Sequence, residues 1–134
     1  MQKQTKEPGL ILVVDDEVSV CQLLQTVLTR AGHRVKMAEN GDQALALLSR
    51  EKFDLLIVDK NLPGLGGMEI LKTVRSRFPG LLSIMITGFP TPESESSALE
   101  LGIHSYIVKP FGIVDVVRAC DEAIAAGRAM VSSP

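Results

Sequence analysis

The stretch Leu55-Leu56-Ile57-Val58-Asp59 decides the fold. Four consecutive branched apolar residues end in a carboxylate, and three other apolar runs in the chain also end in a polar group. Leu10 to Val14 runs into Asp15-Asp16. Leu81 to Ile86, interrupted by Ser83, runs into Thr87. Tyr106 to Val108 runs into Lys109-Pro110. Short runs rich in Val, Ile and Leu read as strands buried on both faces of a parallel sheet. Open parallel sheets bind ligands at the carboxyl ends of their strands. Such a sheet gathers three carboxylates, a hydroxyl and an ammonium along one edge.

Helical patterns separate the runs. Val20, Leu23, Leu24, Val27, Leu28 and Ala31 share one face of a helix over about 18–31, stopped by Gly32. Val35 to Ala38 is a short second strand, and Asn40-Gly41 turns into a helix near 42–51. The segment from Asn61 to Gly67 is too glycine-rich for regular structure. A third helix spans about 68–78, before Pro79-Gly80. Thr91 is the expected N-cap of a fourth, with Pro92 in its first position. The fifth covers about 113–126. Five alternations of strand and helix imply a parallel sheet with helices on both faces. Periodicity alone leaves flavodoxin-like and Rossmann strand orders both open.

The bulk properties fit one compact domain. The chain has 134 residues, 46% hydrophobic and 22% charged, with a net charge of −2. That charge argues against a general nucleic-acid or anionic-membrane surface. No apolar run approaches the roughly 20 residues of a membrane span, and Met1 to Pro8 lacks a signal-peptide core, so a cytoplasmic location is expected. Cys21 and Cys120 fall on apolar helix faces and read as packing residues. His33 and His104 read as surface residues in polar turns, and Glu17 as a capping or surface acid.

The strand ends define a chemistry. Clustered carboxylates repel unless a cation joins them. Oxygen-only ligands suit Mg²⁺ or Mn²⁺. A carboxylate beside such an ion can attack phosphorus and form an aspartyl phosphate, while a lysine and a hydroxyl meet the phosphoryl oxygens.

Val13-Val14-Asp15-Asp16-Glu17, Asp59-Lys60-Asn61-Leu62-Pro63-Gly64, Met85-Ile86-Thr87-Gly88 and Ile107-Val108-Lys109-Pro110-Phe111 resemble the signature blocks of bacterial response-regulator receiver domains. All four occur in order, and the resemblance covers about 9–126. It implies a flavodoxin-like, doubly wound α/β fold, with a five-stranded parallel sheet in the order 2-1-3-4-5 and five helices. The expected boundaries are an extended or disordered 1–8, a receiver domain over 9–127 and a tail over 128–134.

Residue by residue, the resemblance makes Asp59 the phosphoacceptor. Asp15, Asp16 and Asp59 hold Mg²⁺, Asp16 directly and Asp15 largely through water, and the backbone carbonyl of Asn61 completes the site. Thr87, Gly88 and Lys109 meet the phosphoryl group, and Lys109-Pro110 is a cis bond. Thr87 and Tyr106 form the switch, which changes the surface of the fourth helix, fifth strand and fifth helix. Phe89 departs from the polar residues that influence the attacking water, and predicts a slowly hydrolysed phosphate.

The implied partners are a sensor histidine kinase or histidine phosphotransfer protein, and a downstream protein or an output domain not in this sequence. A homodimer through the same surface is a further expectation. The resemblance implies a regulatory phosphoacceptor of a phosphorelay, which catalyses only its own phosphorylation and dephosphorylation. Two other classes fit less well. A dehalogenase-type hydrolase needs its nucleophile on the first strand with a second acid two residues on. A nucleotide-binding module needs a G-x-G-x-x-G or Walker A loop, which Gly64 to Gly67 does not supply.

Overall fold

A computed structural model describes residues 8–132. Residues 1–7 and 133–134, where the expected extended N-terminus and the end of the tail fall, lie outside the described residues. The elements alternate throughout: β1 (Leu10–Val14), α1 (Val18–Arg30), β2 (Arg34–Ala38), α2 (Gly41–Arg50), β3 (Leu55–Asp59), α3 (Gly67–Arg77), β4 (Leu82–Thr87), α4 (Pro92–Glu100), β5 (Ser105–Val108) and α5 (Ile113–Ser132). The five strands form one parallel sheet in the order β2-β1-β3-β4-β5. This is the flavodoxin-like order, and it chooses between the two that periodicity left open.

Successive strand residues point to opposite faces, so each central strand feeds two cores. Leu12, Val14, Leu56, Val58 and Met85 pack with Ala44, Leu48, Ile70, Leu71, Val74 and Ala98 of α2, α3 and α4. Ile11, Val13, Leu55, Ile57, Ile84 and Ile86 pack on the other face with Cys21, Leu24 and Leu28 of α1 and Val116, Cys120 and Ile124 of α5. Both cysteines are free and buried there, as packing residues. Burial pushes the Cys120 thiol up to about 12, with help from nearby Asp121.

The edge strands differ from the expected burial. β2 exposes three of its five residues and β5 is half-buried, with Val108 at 44% exposure. An edge strand has a neighbour on one side only. Helix starts follow the capping chemistry. The Asn40 side chain accepts from the Gln43 amide, and Thr91 caps α4 in a reciprocal box with Ser94, with Pro92 in the first turn.

Two further expectations need correction. α5 does not end near Ala126 but continues to Ser132. Gly127 lies against Leu82, and Arg128 donates to the Pro8 carbonyl at 2.8 Å, so the last turns have packing and a partner. His33 is buried, not on the surface. Its Nδ1 accepts from the Gly9 amide at 3.0 Å, and its Nε2 lies 2.7 Å from Asp121 Oδ1. Because Nδ1 accepts, Nε2 carries the proton toward Asp121. The ring ties the start of the sheet to α5.

Candidate functional site

Parallel register brings the predicted residues together. Val14 is level with Val58, Asp59 with Ile86, and Thr87 with Val108. Each strand therefore stops at nearly the same height, and Asp15, Asp59, Thr87 and Lys109 emerge at one edge. Asp15, Asp59 and Thr87 are buried. The Lys109-Pro110 bond is cis, as the resemblance implies.

Lys109 is the centre of the charge arrangement. Its Nζ donates to Glu17 Oε1 at 2.6 Å and to Asp59 Oδ2 at 3.0 Å, and lies 3.1 Å from Asp15 Oδ2. The last is an ion-pair separation off the direction of a hydrogen bond, so Asp15 Oδ2 is buried without a hydrogen-bond partner. Asp15 Oδ1 accepts from the Glu17 amide at 2.9 Å, and Asp59 Oδ1 from the Asn61 amide at 3.0 Å. Carboxylate oxygens of Asp15, Glu17 and Asp59 lie within 4.8 Å of one another.

One ammonium among three acids leaves the site short of positive charge. Burial raises Asp15 to about 6, against the Glu17 amide and Lys109, which lower it; the Asp59 charge adds to the rise. For Lys109, burial disfavours the charge, but its hydrogen bonds to Glu17 and Asp59 and the nearby Asp15 carboxylate outweigh burial and raise it above the usual lysine range.

The Thr87 hydroxyl donates to Asn61 Oδ1 at 3.1 Å and accepts from the Phe89 amide at 2.9 Å. A cleft of about 260 Å³ opens over these groups, lined by Asp16, Glu17, Asp59, Asn61, Gly88, Phe89 and Lys109. A Cβ at Gly88 would meet open space, whereas one at Gly67 would lie 2.4 Å from the Asp59 carbonyl oxygen. Glycine at 67 lets α3 start directly under the acceptor strand. A larger cavity of about 380 Å³, between Phe53, Phe78 and Leu81, lies at the opposite end of the sheet, remote from the acids.

The sequence reading and the structure differ over Glu17. Asp16 is exposed at the cleft and stands outside the three-acid cluster, while Glu17, expected only as a cap or surface acid, reaches into it. Glu17 occupies the N-cap position of α1 without a side-chain capping bond. Its partner Lys109 is 92 residues away, so no local signal marked it. Tyr106 is half-buried against the α2–α4 core layer, with its hydroxyl 2.7 Å from Ser94 Oγ. Phe89 is 74% exposed at the cleft rim. His104, half-buried, pairs with its neighbour Ser105.

This fold and edge are those of a receiver domain. Residues 11–121 match the family model of the response regulator receiver domain. The chain is 34% identical over 116 residues to the DNA-binding transcriptional regulator NtrC of Salmonella typhimurium, covering 87% of this chain and 25% of that protein. Its structure is similar to a CheY-like response regulator receiver domain protein from Methanospirillum hungatei JF-1, with a TM-score of 0.88, 28% identity, and 92% and 99% of the two chains covered. It is also similar to a BeF3-activated DrrB receiver domain, with a TM-score of 0.81, 25% identity and coverages of 88% and 98%. The chain belongs to the response-regulator receiver-domain family of two-component signalling systems, a family of regulatory switches. It spans about a quarter to a half of the length of the curated relatives it matches. Among the described residues, no helix is long and apolar enough to cross a membrane.

Proposed function

We propose that this domain is a phosphoacceptor switch that takes a phosphoryl group onto Asp59 from the histidine of a sensor kinase or phosphotransfer protein. A carboxylate oxygen of Asp59 attacks phosphorus, and the phosphorus–nitrogen bond breaks. The electron pair leaves on the donor imidazole, which recovers a proton from water. The observation that carries this reading is the buried Asp59 carboxylate, held between the Asn61 amide and Lys109 at the floor of an open cleft.

The residues present fit a divalent cation. Asp15 Oδ2 is buried without a hydrogen-bond partner, and the nearby donors are oxygens. Asp15, Asp16, Asp59 and the Asn61 carbonyl would hold Mg²⁺, or Mn²⁺, with Glu17 close by. When bound, the ion neutralises charge on the phosphoryl oxygens.

Lys109 then exchanges one of its carboxylates for a phosphoryl oxygen, without leaving the site. Thr87 gives up Asn61 Oδ1 and donates to the phosphoryl group, with Gly88 leaving the approach open. Movement of Thr87 draws the β4–α4 segment, and the Tyr106 ring follows into the vacated space. The readout surface is α4–β5–α5, where Leu99 and Val108 are exposed. That surface docks a downstream protein, an output domain or a second copy of this domain, in the cytoplasm.

Intact-mass spectrometry after incubation with acetyl phosphate tests the reading, on wild type and Asp59→Asn, with Mg²⁺ or chelator. The expected result is one phosphoryl increment that requires both Asp59 and Mg²⁺. No increment, either from acetyl phosphate or from a phosphorylated histidine donor, overturns it.

A further inference from the structure

Lys60 directly follows the acceptor, yet its side chain turns away from the acids. Its amide donates to Ile86 O at 2.9 Å and its carbonyl accepts from Gly67 at 3.1 Å, so its backbone is fixed on both sides. From that base the ammonium donates to the Phe89 carbonyl, and lies 3.4 Å from Ser94 Oγ. Ser94 closes the α4 capping box with Thr91 and meets the Tyr106 hydroxyl at 2.7 Å. Asn61, the next residue, holds Thr87 Oγ1. Two consecutive residues after Asp59 therefore grip the β4–α4 segment, at Thr87 and at Phe89.

The electrostatics make the Lys60 contact a poised one. A cation at a helix N-terminus faces the positive end of the macrodipole. Glu93 and Glu95 in the first turn of α4 offset part of that cost. The Phe89 carbonyl and the Ser94 hydroxyl supply the rest of what keeps the ammonium there.

We infer that Lys60 is a positioning residue that latches the β4–α4 segment in its resting arrangement, through the Phe89 carbonyl and the Ser94–Tyr106 hydroxyl pair. The inference rests on the phosphoacceptor reading. Recruiting Thr87 to a phosphoryl group moves the segment whose next carbonyl but one Lys60 holds. A ligand that binds only the moved arrangement loses affinity in proportion to the rarity of that arrangement. Cutting the latch makes the moved arrangement more common.

Tyr106 gives a direct readout, since the chain has one tyrosine and no tryptophan. Wild type, Lys60→Met and Lys60→Gln are titrated with beryllofluoride in excess Mg²⁺, following tyrosine emission, with ¹⁹F spectra reporting the bound probe. Lys60 meets the Phe89 carbonyl at an exposed position, and loss of one hydrogen bond of ordinary net strength predicts half-saturation of Lys60→Met at about a three- to tenfold lower beryllofluoride concentration. Its emission before addition is shifted toward the saturated wild-type value. Lys60→Gln, which keeps a donor without the charge, falls between, and carries the test if the Met variant fails to fold. Titration of the variants at or above the wild-type concentration, with unchanged resting emission, overturns the latch alone. A wild-type domain that binds no beryllofluoride overturns the switch reading, and the latch with it.

Discussion

Each end of the sheet carries an ionisable cluster built around a buried group, and only one of the two is balanced. At the amino-terminal end, His33 accepts from the Gly9 amide at Nδ1 and donates to Asp121 from Nε2, Asp54 accepts from the Leu10 amide, and Arg128 donates to the Pro8 carbonyl. At the carboxyl end, Lys109 faces three carboxylates, and one buried oxygen of Asp15 has no hydrogen-bond partner. Partners that match one for one hold a fold together. A surplus of acid around one ammonium leaves negative charge that a cation or a proton would balance.

The sharpest way to break this contrast is to remove the shared ammonium. Lys109→Met leaves Asp15 and Asp59 buried together without their cation. The expected loss is about 3–5 kcal/mol of unfolding free energy near neutral pH in chelator, the usual range for breaking a buried pair. Excess Mg²⁺ restores part of it, because an ion that binds only the fold stabilises it. Urea denaturation with and without Mg²⁺ checks both effects. A variant as stable as wild type in chelator would show that the acids do not depend on Lys109.

Asp15→Asn acts in the opposite direction. An acid held at about 6 in the fold, against an ordinary 3.8, keeps a proton that the unfolded chain has already lost between those values. Its favourable contribution is whole below about pH 4 and disappears as pH rises to about 6. Wild type in chelator is therefore expected to lose about 2–3 kcal/mol from this group across that window. Asp15→Asn removes that slope, and is the more stable protein near neutral pH. The same variant shows a smaller stabilisation by Mg²⁺. Denaturation curves at a series of pH values decide it, and an unchanged slope in the variant counts against the assignment.

His33→Ala sharpens the comparison from the balanced end. It leaves the Gly9 amide without its acceptor and Asp121 without its donor, at an expected cost of about 1–3 kcal/mol. The Mg²⁺ response stays at the wild-type value, because the tie lies at the far end of the sheet. A reduced Mg²⁺ response would couple the two ends.

What was legible in the sequence follows the same division. The carboxyl-end site was readable because each of its strands carries its polar residue directly after an apolar run, so the local pattern and the parallel order suffice. The His33 tie was not, since Asp121 lies 88 residues away and the immediate neighbours Gly32 and Arg34 give no sign of burial. Glu17 was missed for a related reason. Asp15-Asp16-Glu17 offers three acids in a row, and only the turn between β1 and α1 decides which of them face inward. The extra turns of α5 depend on contacts with Leu82 and Pro8, which helical periodicity does not contain.

The smallest effect expected concerns the lifetime of the phosphate. Phe89 is pinned at both of its backbone polar groups, by Thr87 Oγ1 at its amide and by Lys60 at its carbonyl, and its exposed ring stands at the cleft rim. On the proposed function, a polar side chain at this rim position would orient a water toward the aspartyl phosphate, and a phenyl ring offers that water no hydrogen bond. Phe89→Glu supplies one acceptor there. A single orienting hydrogen bond of about 1 kcal/mol corresponds to roughly fivefold faster hydrolysis. Dephosphorylation of the two proteins, followed by mass spectrometry after removal of the donor, measures the ratio. A lifetime in the variant equal to or longer than that of wild type removes Phe89 from the kinetics and leaves the ring as a feature of the rim alone.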